Sequence, residues 1–164
     1  MELYLVRHAT AEDRGSDGVD DADRQLTEEG HAEASHAARA LHNLRIEPAV
    51  VLSSPLRRCV ETARPIAALL GVDVVEDRLL APGFEATELA ALSERHAGKR
   101  SVILVGHEPD LSTVIHHLSG ANVQMPKGGI ARLEVHSLRA GTCELRYLLR
   151  PKQVRLIATA KVTA

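Results

Sequence analysis

Arg7 and His8 follow directly on the apolar run 3–6, so a strand ends on a guanidinium and an imidazole. A histidine held beside an arginine at the mouth of a sheet can attack phosphorus. The neutral ring supplies a lone pair, and the guanidinium fork takes the negative oxygens. Two more apolar runs end on similar chemistry. The run 49–52 leads into Ser53 and Ser54, with Arg57 and Arg58 just beyond, and the run 102–105 leads into Gly106 and His107. Side by side in an open parallel sheet, the three runs would bring two histidines and several arginines to the edge where such sheets bind ligands. That set suits phosphoryl transfer through a covalent phosphohistidine on His8, with Arg7, Arg58 and, if protonated, His107 holding the charge. It calls for no metal and no cofactor.

The elements that must position these residues are legible as patterns. All three runs are continuously apolar, which predicts parallel strands covered on both faces. Between the first two, Ala34, Ala38, Leu41 and Leu44 keep helical spacing behind Thr27, a candidate N-cap, with Glu28 and Glu29 in the first turn. Ser54-Pro55 reads as the cap and first turn of a second helix, with Ala63, Ile66 and Leu70 inward and Gly71 at its end. A strand near 72–75 and a helix near 85–95 follow. The third run leads into a helix at about 110–119 with Leu111, Val114, Ile115 and Leu118 inward. Gly128-Gly129 opens a strand at 130–135, and Ala140-Gly141 turns into another at 143–149. Residues 154–164 read equally as a frayed tail or a packed edge element.

With 164 residues, 45% of them hydrophobic, the chain fits one domain, 1–164, whose core must be aliphatic because it holds one Phe, two Tyr and no Trp. A net charge of -2 provides no overall basic field for nucleic acid or an anionic membrane, and no apolar run is long enough to span a bilayer. Cys59 and Cys143 lack ligand spacing and read as free thiols, so a cytoplasmic protein is expected. Pro65 stands six positions after Cys59, which excludes the Cys-x5-Arg loop of thiol phosphatases. His116-His117 has no partner carboxylate at metal-ligand spacing.

Four pieces together, Arg7-His8-Ala9, Arg24-Gln25-Leu26-Thr27-Glu28-Glu29-Gly30, the stretch 54–63 that opens Ser54-Pro55-Leu56-Arg57-Arg58, and Gly106-His107-Glu108-Pro109, resemble the histidine phosphatase (phosphoglycerate mutase-like) superfamily. More closely, they resemble its small SixA-type phosphohistidine phosphatases. The resemblance implies a three-layer α/β/α sandwich with a mostly parallel sheet. It implies His8 as nucleophile, Arg7 and Arg58 rather than Arg57 as phosphate ligands, His107 as the second catalytic histidine, and Arg24 as a further ligand for phosphate or substrate.

Two departures stand out. The family's Arg-His-Gly is Arg-His-Ala here, so Ala9 is strained if that position needs positive φ. The glutamate proton donor of larger relatives is missing from the stretch 79–83, leaving Glu85, Glu88 and Glu108 as candidate donors. An alkoxide needs a proton as it leaves, whereas the imidazole of a protonated phosphohistidine departs neutral. Without a long insertion to close over a small ligand, an open pocket is expected. The expected substrate is therefore phosphohistidine on a protein, carried by a phosphotransfer domain or a phosphocarrier. A phosphomonoesterase for nucleotides or sugar phosphates, and a phosphate-binding docking module with little turnover, are the alternatives. The acidic residues Glu12, Asp13, Asp17, Asp20, Asp21 and Asp23 read as a solvated connection that edges the pocket and repels acidic partners.

Overall fold

The computed structural model describes residues 1–13 and 18–160. Six strands form one sheet in the order β3-β2-β4-β1-β5-β6. They are β1 (Glu2–Arg7), β2 (Val51–Ser53), β3 (Val74–Glu76), β4 (Ser101–Gly106), β5 (Ile130–Glu134) and β6 (Glu144–Leu149). β1 pairs with β4, β4 with β2, and β2 with β3, all in parallel; β5 and β6 extend the sheet antiparallel beyond β1. The three runs 3–6, 49–52 and 102–105 are thus adjacent parallel strands, as their continuous apolarity predicts.

Alternate residues along each strand feed two cores, which makes three layers. Tyr4, Val6, Val51, Ile103 and Val105 pack under α1 (Glu28–Asn43), α2 (Arg57–Leu70) and α5 (Pro151–Thr159). Leu3, Leu5, Leu52, Val102 and Leu104 pack under α3 (Ala86–Arg95) and α4 (Asp110–Ser119). After β1 the chain goes to one face, and after β4 to the other. A crevice therefore opens between the carboxyl ends of these neighbouring strands, at a topological switch point.

Most helix signals hold: Thr27 Oγ1 accepts from Gly30 N–H at the start of α1, and Gly71 closes α2 at φ 68. Two expectations change. Leu44 is the C-cap residue of α1 and lies 37% exposed rather than in the core. Ser54 does not cap α2, which begins at Arg57 behind Leu56 with no side-chain cap. As far as residue 160 the chain end is packed rather than frayed, and the packed element is a helix. Pro151 pre-sets φ for the first turn of α5, and Val154 and Ala158 bury against α1. Asn43 Nδ2 also donates to Ile157 O at 2.9 Å. Residues 161–164 lie outside the described residues.

Gly30 explains why the loop after β1 and the start of α1 can touch. A Cβ on Gly30 would stand 1.9 Å from Thr10 O, and that carbonyl accepts from Thr27 N–H at 3.1 Å. Gly30→Ala must therefore push backbone apart two residues beyond His8. A loss of about 2 kcal/mol is expected in urea unfolding; a loss below about 0.5 kcal/mol would contradict this packing.

Candidate active site

The ladder around β4 continues one residue beyond its neighbours. His8 N–H donates to Gly106 O at 3.1 Å and Ser54 N–H to Val105 O at 3.0 Å. Arg7 N–H donates to Gly129 O at 3.1 Å, and Gly128 N–H reaches the carbonyls of both Arg7 and His8 at 3.2 Å. Gly128 does so at φ 68, a conformation costly for residues with a Cβ. On the other side, Ala9 N–H donates to Thr62 Oγ1 at 3.1 Å, whose hydroxyl donates to Arg58 O at 2.7 Å. Glu61 accepts from Leu26 N–H and from Arg57 Nε, both at 2.7 Å. Neighbouring side chains at the start of α2 thus tie the loops behind His8 and Arg24 to the helix that carries Arg58.

Ala9 is unstrained. Among the described residues, Arg45 is the one non-glycine with positive φ, and the Ala9 methyl is buried with Ala11, Leu26 and Ala34.

Each imidazole is held in one tautomer. His8 Nδ1 lies 2.8 Å from Ala9 O; a carbonyl only accepts, so Nδ1 carries the hydrogen and Nε2 the lone pair. Burial pushes the His8 pKa down to about 3, and the charges of Arg58, His107 and Arg7 work the same way. His107 Nδ1 lies 3.4 Å from Arg58 Nη2, which can only donate, so its hydrogen is on Nε2, 2.8 Å from Ser54 Oγ. Burial first and the Arg58 charge second push the His107 pKa down to about 4. His107 is therefore neutral at neutral pH, so the condition under which it would hold charge is not met by the folded site alone. The two rings lie 5.4 Å apart between centroids and tilt by 59°.

Arg7 Nη1 donates to Met125 O at 2.7 Å. Arg58 Nη1 donates to Asp21 O at 2.7 Å, and its Nη2 lies 3.2 Å from Asp21 Oδ2. The Nε atoms of Arg7 and Arg58 are buried without a hydrogen-bond partner. Arg24 donates from Nε to Asp21 Oδ1 at 3.0 Å and from Nη1 to Glu12 O at 2.6 Å. Arg57 instead faces outward, bonded to Glu61 and to Gln25 Oε1. Cys59 Sγ packs 3.6 Å from His107 Nε2, and burial raises its pKa to about 12, so it contributes a wall rather than a nucleophile.

The three nominated carboxylates separate. Glu85 and Glu88 cap the start of α3, where Glu88 Oε2 accepts from Glu85 N–H at 3.0 Å. Glu108 acts electrostatically on Arg7; its Oε1 accepts from Met125 N–H at 3.1 Å and from Ser112 Oγ, while Oε2 is buried without a partner. The side chains at the centre of the site are themselves buried: His8 is 7%, His107 5% and Arg58 2% exposed. The acidic stretch is only partly a solvated connection. Asp20 caps the short 3-10 turn Asp21–Asp23, Asp21 reaches two arginines, and Asp17 lies outside the described residues.

Sequence reasoning brought Ser54 to this edge as a helix cap and Asp21 as one of six acidic residues edging the pocket, without their contacts to His107 and the arginines, and it missed Thr62 and Met125. Ser54 and Thr62 lie inside the stretch 54–63 and Asp21 three residues before Arg24, so proximity to motif residues was an available signal. Met125 contributes only its backbone, which no side-chain pattern announces.

Residues 3–81 match the histidine phosphatase superfamily (branch 1). An uncharacterized protein of Picosynechococcus sp. is 34% identical over 151 residues, covering 84% of this chain and 91% of the relative. The chain belongs to the histidine phosphatase superfamily. A solved Agrobacterium tumefaciens protein, proposed to be the phosphohistidine phosphatase SixA, is 26% identical with a TM-score of 0.78, over 92% of this chain and 98% of that one. The protein histidine phosphatase SixA complexed with tungstate shares the fold at a TM-score of 0.81 and 22% identity, over 93% of this chain and 98% of its own. No helix among the described residues is long and apolar enough to cross a membrane.

The neutral imidazoles make stability depend on pH. Both histidines have folded pKa values below the unfolded value of about 6.5. Their contribution is fully present above that value and is lost as pH falls toward about 4 for His107 and about 3 for His8. Urea unfolding is expected to show a loss of about 2–3 kcal/mol between about pH 6.5 and 5, roughly halved in His8→Asn. A flat profile over that range would contradict two buried neutral rings.

Proposed function

We propose that this chain is a phosphatase that removes the phosphoryl group from phosphohistidine on a protein, through a phosphohistidine of its own on His8. The observation that carries the reading is the His8 tautomer: with Nδ1–H donated to Ala9 O, the Nε2 lone pair is left for attack. Arg7 and Arg58 retain buried Nε–H groups that phosphoryl oxygens would satisfy. Nε2 forms the new N–P bond, and the old P–N bond returns its electron pair to the substrate imidazole. That ring departs neutral when its other nitrogen carries a proton. Water then attacks phosphorus, its protons end on orthophosphate and solvent, and His8 regains its lone pair.

Similarity to two SixA-type structures supports this substrate class. So does the engagement of Glu85 and Glu88 at the start of α3, since a phosphoamidate needs no resident acid. One observation favours a small-molecule phosphomonoester instead: Glu108, beside Arg7, has one carboxylate oxygen without a hydrogen-bond partner.

Incubation with a protein labelled on phosphohistidine is expected to transfer acid-labile, base-stable label to the wild-type chain and none to His8→Ala. Label persisting on His8→Ala would sink the mechanism. Wild-type kcat/KM is expected to be higher for phosphohistidine than for an aryl phosphate, with Glu108→Gln changing the first by less than about threefold. Preference for the ester, with a large loss in Glu108→Gln, would establish the second reading.

A further inference from the structure

Asp21 joins two arginines to the second histidine of the site. It opens the one-turn 3-10 helix Asp21–Asp23, which Asp20 steadies by accepting from Ala22 N–H at 3.0 Å. One carboxylate oxygen, Oδ2, lies 3.2 Å from Arg58 Nη2, and the Asp21 carbonyl accepts from Arg58 Nη1 at 2.7 Å. The other oxygen, Oδ1, lies 3.0 Å from Arg24 Nε and 2.9 Å from Arg24 Nη2. Arg58 Nη2 continues to His107 Nδ1 at 3.4 Å, and His107 Nε2 to Ser54 Oγ at 2.8 Å. The chain of contacts thus runs Arg24, Asp21, Arg58, His107, Ser54 without a break.

We propose that Asp21 is a positioning residue: its carboxylate and carbonyl hold Arg24 and Arg58 together, aimed at the phosphoryl site, before any substrate arrives. The charges of the two guanidinium groups repel, and Arg58 is almost entirely buried. An intervening anion lets them converge during folding, so the incoming phosphoryl group need not assemble them. Asp21 uses only part of each fork. Arg24 keeps N–H groups on Nη1 and Nη2, and Arg58 keeps its unmatched Nε–H, for the substrate's oxygens. The same grip keeps Arg58 donating to His107 Nδ1, which maintains the Nε2–H form of that ring. Arg24 therefore acts with Arg58 as one unit.

The proposal rests on the phosphoryl-transfer reading above, so the wild-type chain is measured first, for label on His8 and for tungstate affinity by calorimetry. Wild-type protein that takes no label and binds no tungstate fails that reading and this proposal with it. In a wild-type protein that does both, Asp21→Ala is expected to weaken tungstate binding about tenfold and to lower kcat/KM on the phosphohistidine protein by at least about tenfold. Asp21→Asn, which retains one oxygen acceptor, is expected to fall between. Should Asp21→Ala fail to fold, the near-isosteric Asp21→Asn is read by the same two measurements. Nitrogen-15 spectra of the His107 ring supply a readout that a merely structural role would not move: the Nε2–H form is expected to lose population in the variants. Unchanged affinity and turnover in a folded variant overturn the proposal alone. Tighter tungstate binding in Asp21→Ala overturns it too, because the carboxylate would then be competing for the phosphoryl seat.

Discussion

Positive charge has to be gathered at the end of this sheet before any anion is there to balance it. Arg7, Arg24 and Arg58 all act on the same small volume, and their charges add to burial in depressing the basicity of the imidazoles there. A lone buried guanidinium costs several kcal/mol, so three near one another require compensation from the protein itself. Two carboxylates supply it: Asp21 bridges Arg24 and Arg58, and Glu108 works on Arg7 across the Met125 peptide, whose N–H it binds and whose carbonyl Arg7 binds. Neither takes up all the donors of the arginine it serves. The site is therefore held together while remaining receptive to a further anion.

The sheet order makes this gathering economical in chain length. β1 and β4 are neighbours although about a hundred residues apart in sequence, and their carboxyl ends place His8 and His107 with ring centroids 5.4 Å apart. The start of α2 then couples the remaining parts. Arg58 faces the site, Thr62 one turn later holds both Arg58 O and Ala9 N–H, and Glu61 holds Leu26 N–H near Arg24. One helical turn thus carries both Arg58 and the braces for two loops, so Thr62 and Glu61 fix the backbone beside His8 and Arg24 from the same helix.

Much of this was legible in the chain. Continuous apolar runs gave adjacent parallel strands, and helix-spaced aliphatics with Thr27 and Gly71 gave helix limits, because burial and capping are local chemistry written in residue type. The convergence of His8, Arg58 and His107 followed from their shared position at strand ends. What escaped were relations that depend on the third dimension. Ser54 resembles a helix cap in sequence, yet His107 stands closer to its hydroxyl than the helix does. Asp21 sits among six acidic residues, and nothing in composition distinguishes the one that turns inward. Whether His107 carries charge also could not be read from residue type, because burial, and after it the charge of Arg58, decides it.

The neutral imidazoles connect the electrostatics to the choice of leaving group. Burial first, and the crowded guanidinium charges after it, disfavour any proton stored on either histidine, so the site as folded holds no imidazolium to protonate an alkoxide. On the proposed reading this is no defect. A phosphohistidine brings the needed proton on its own second nitrogen, and the positive charge it carries is extinguished as the ring leaves. An arginine-rich site would hinder the approach of that cation less once the transferring phosphoryl has screened it, and two carboxylates reduce the remaining repulsion. An ester substrate faces the opposite balance: it needs an acid as the alkoxide leaves, while Glu85 and Glu88 are engaged at the start of α3 and neither imidazole holds a proton to give.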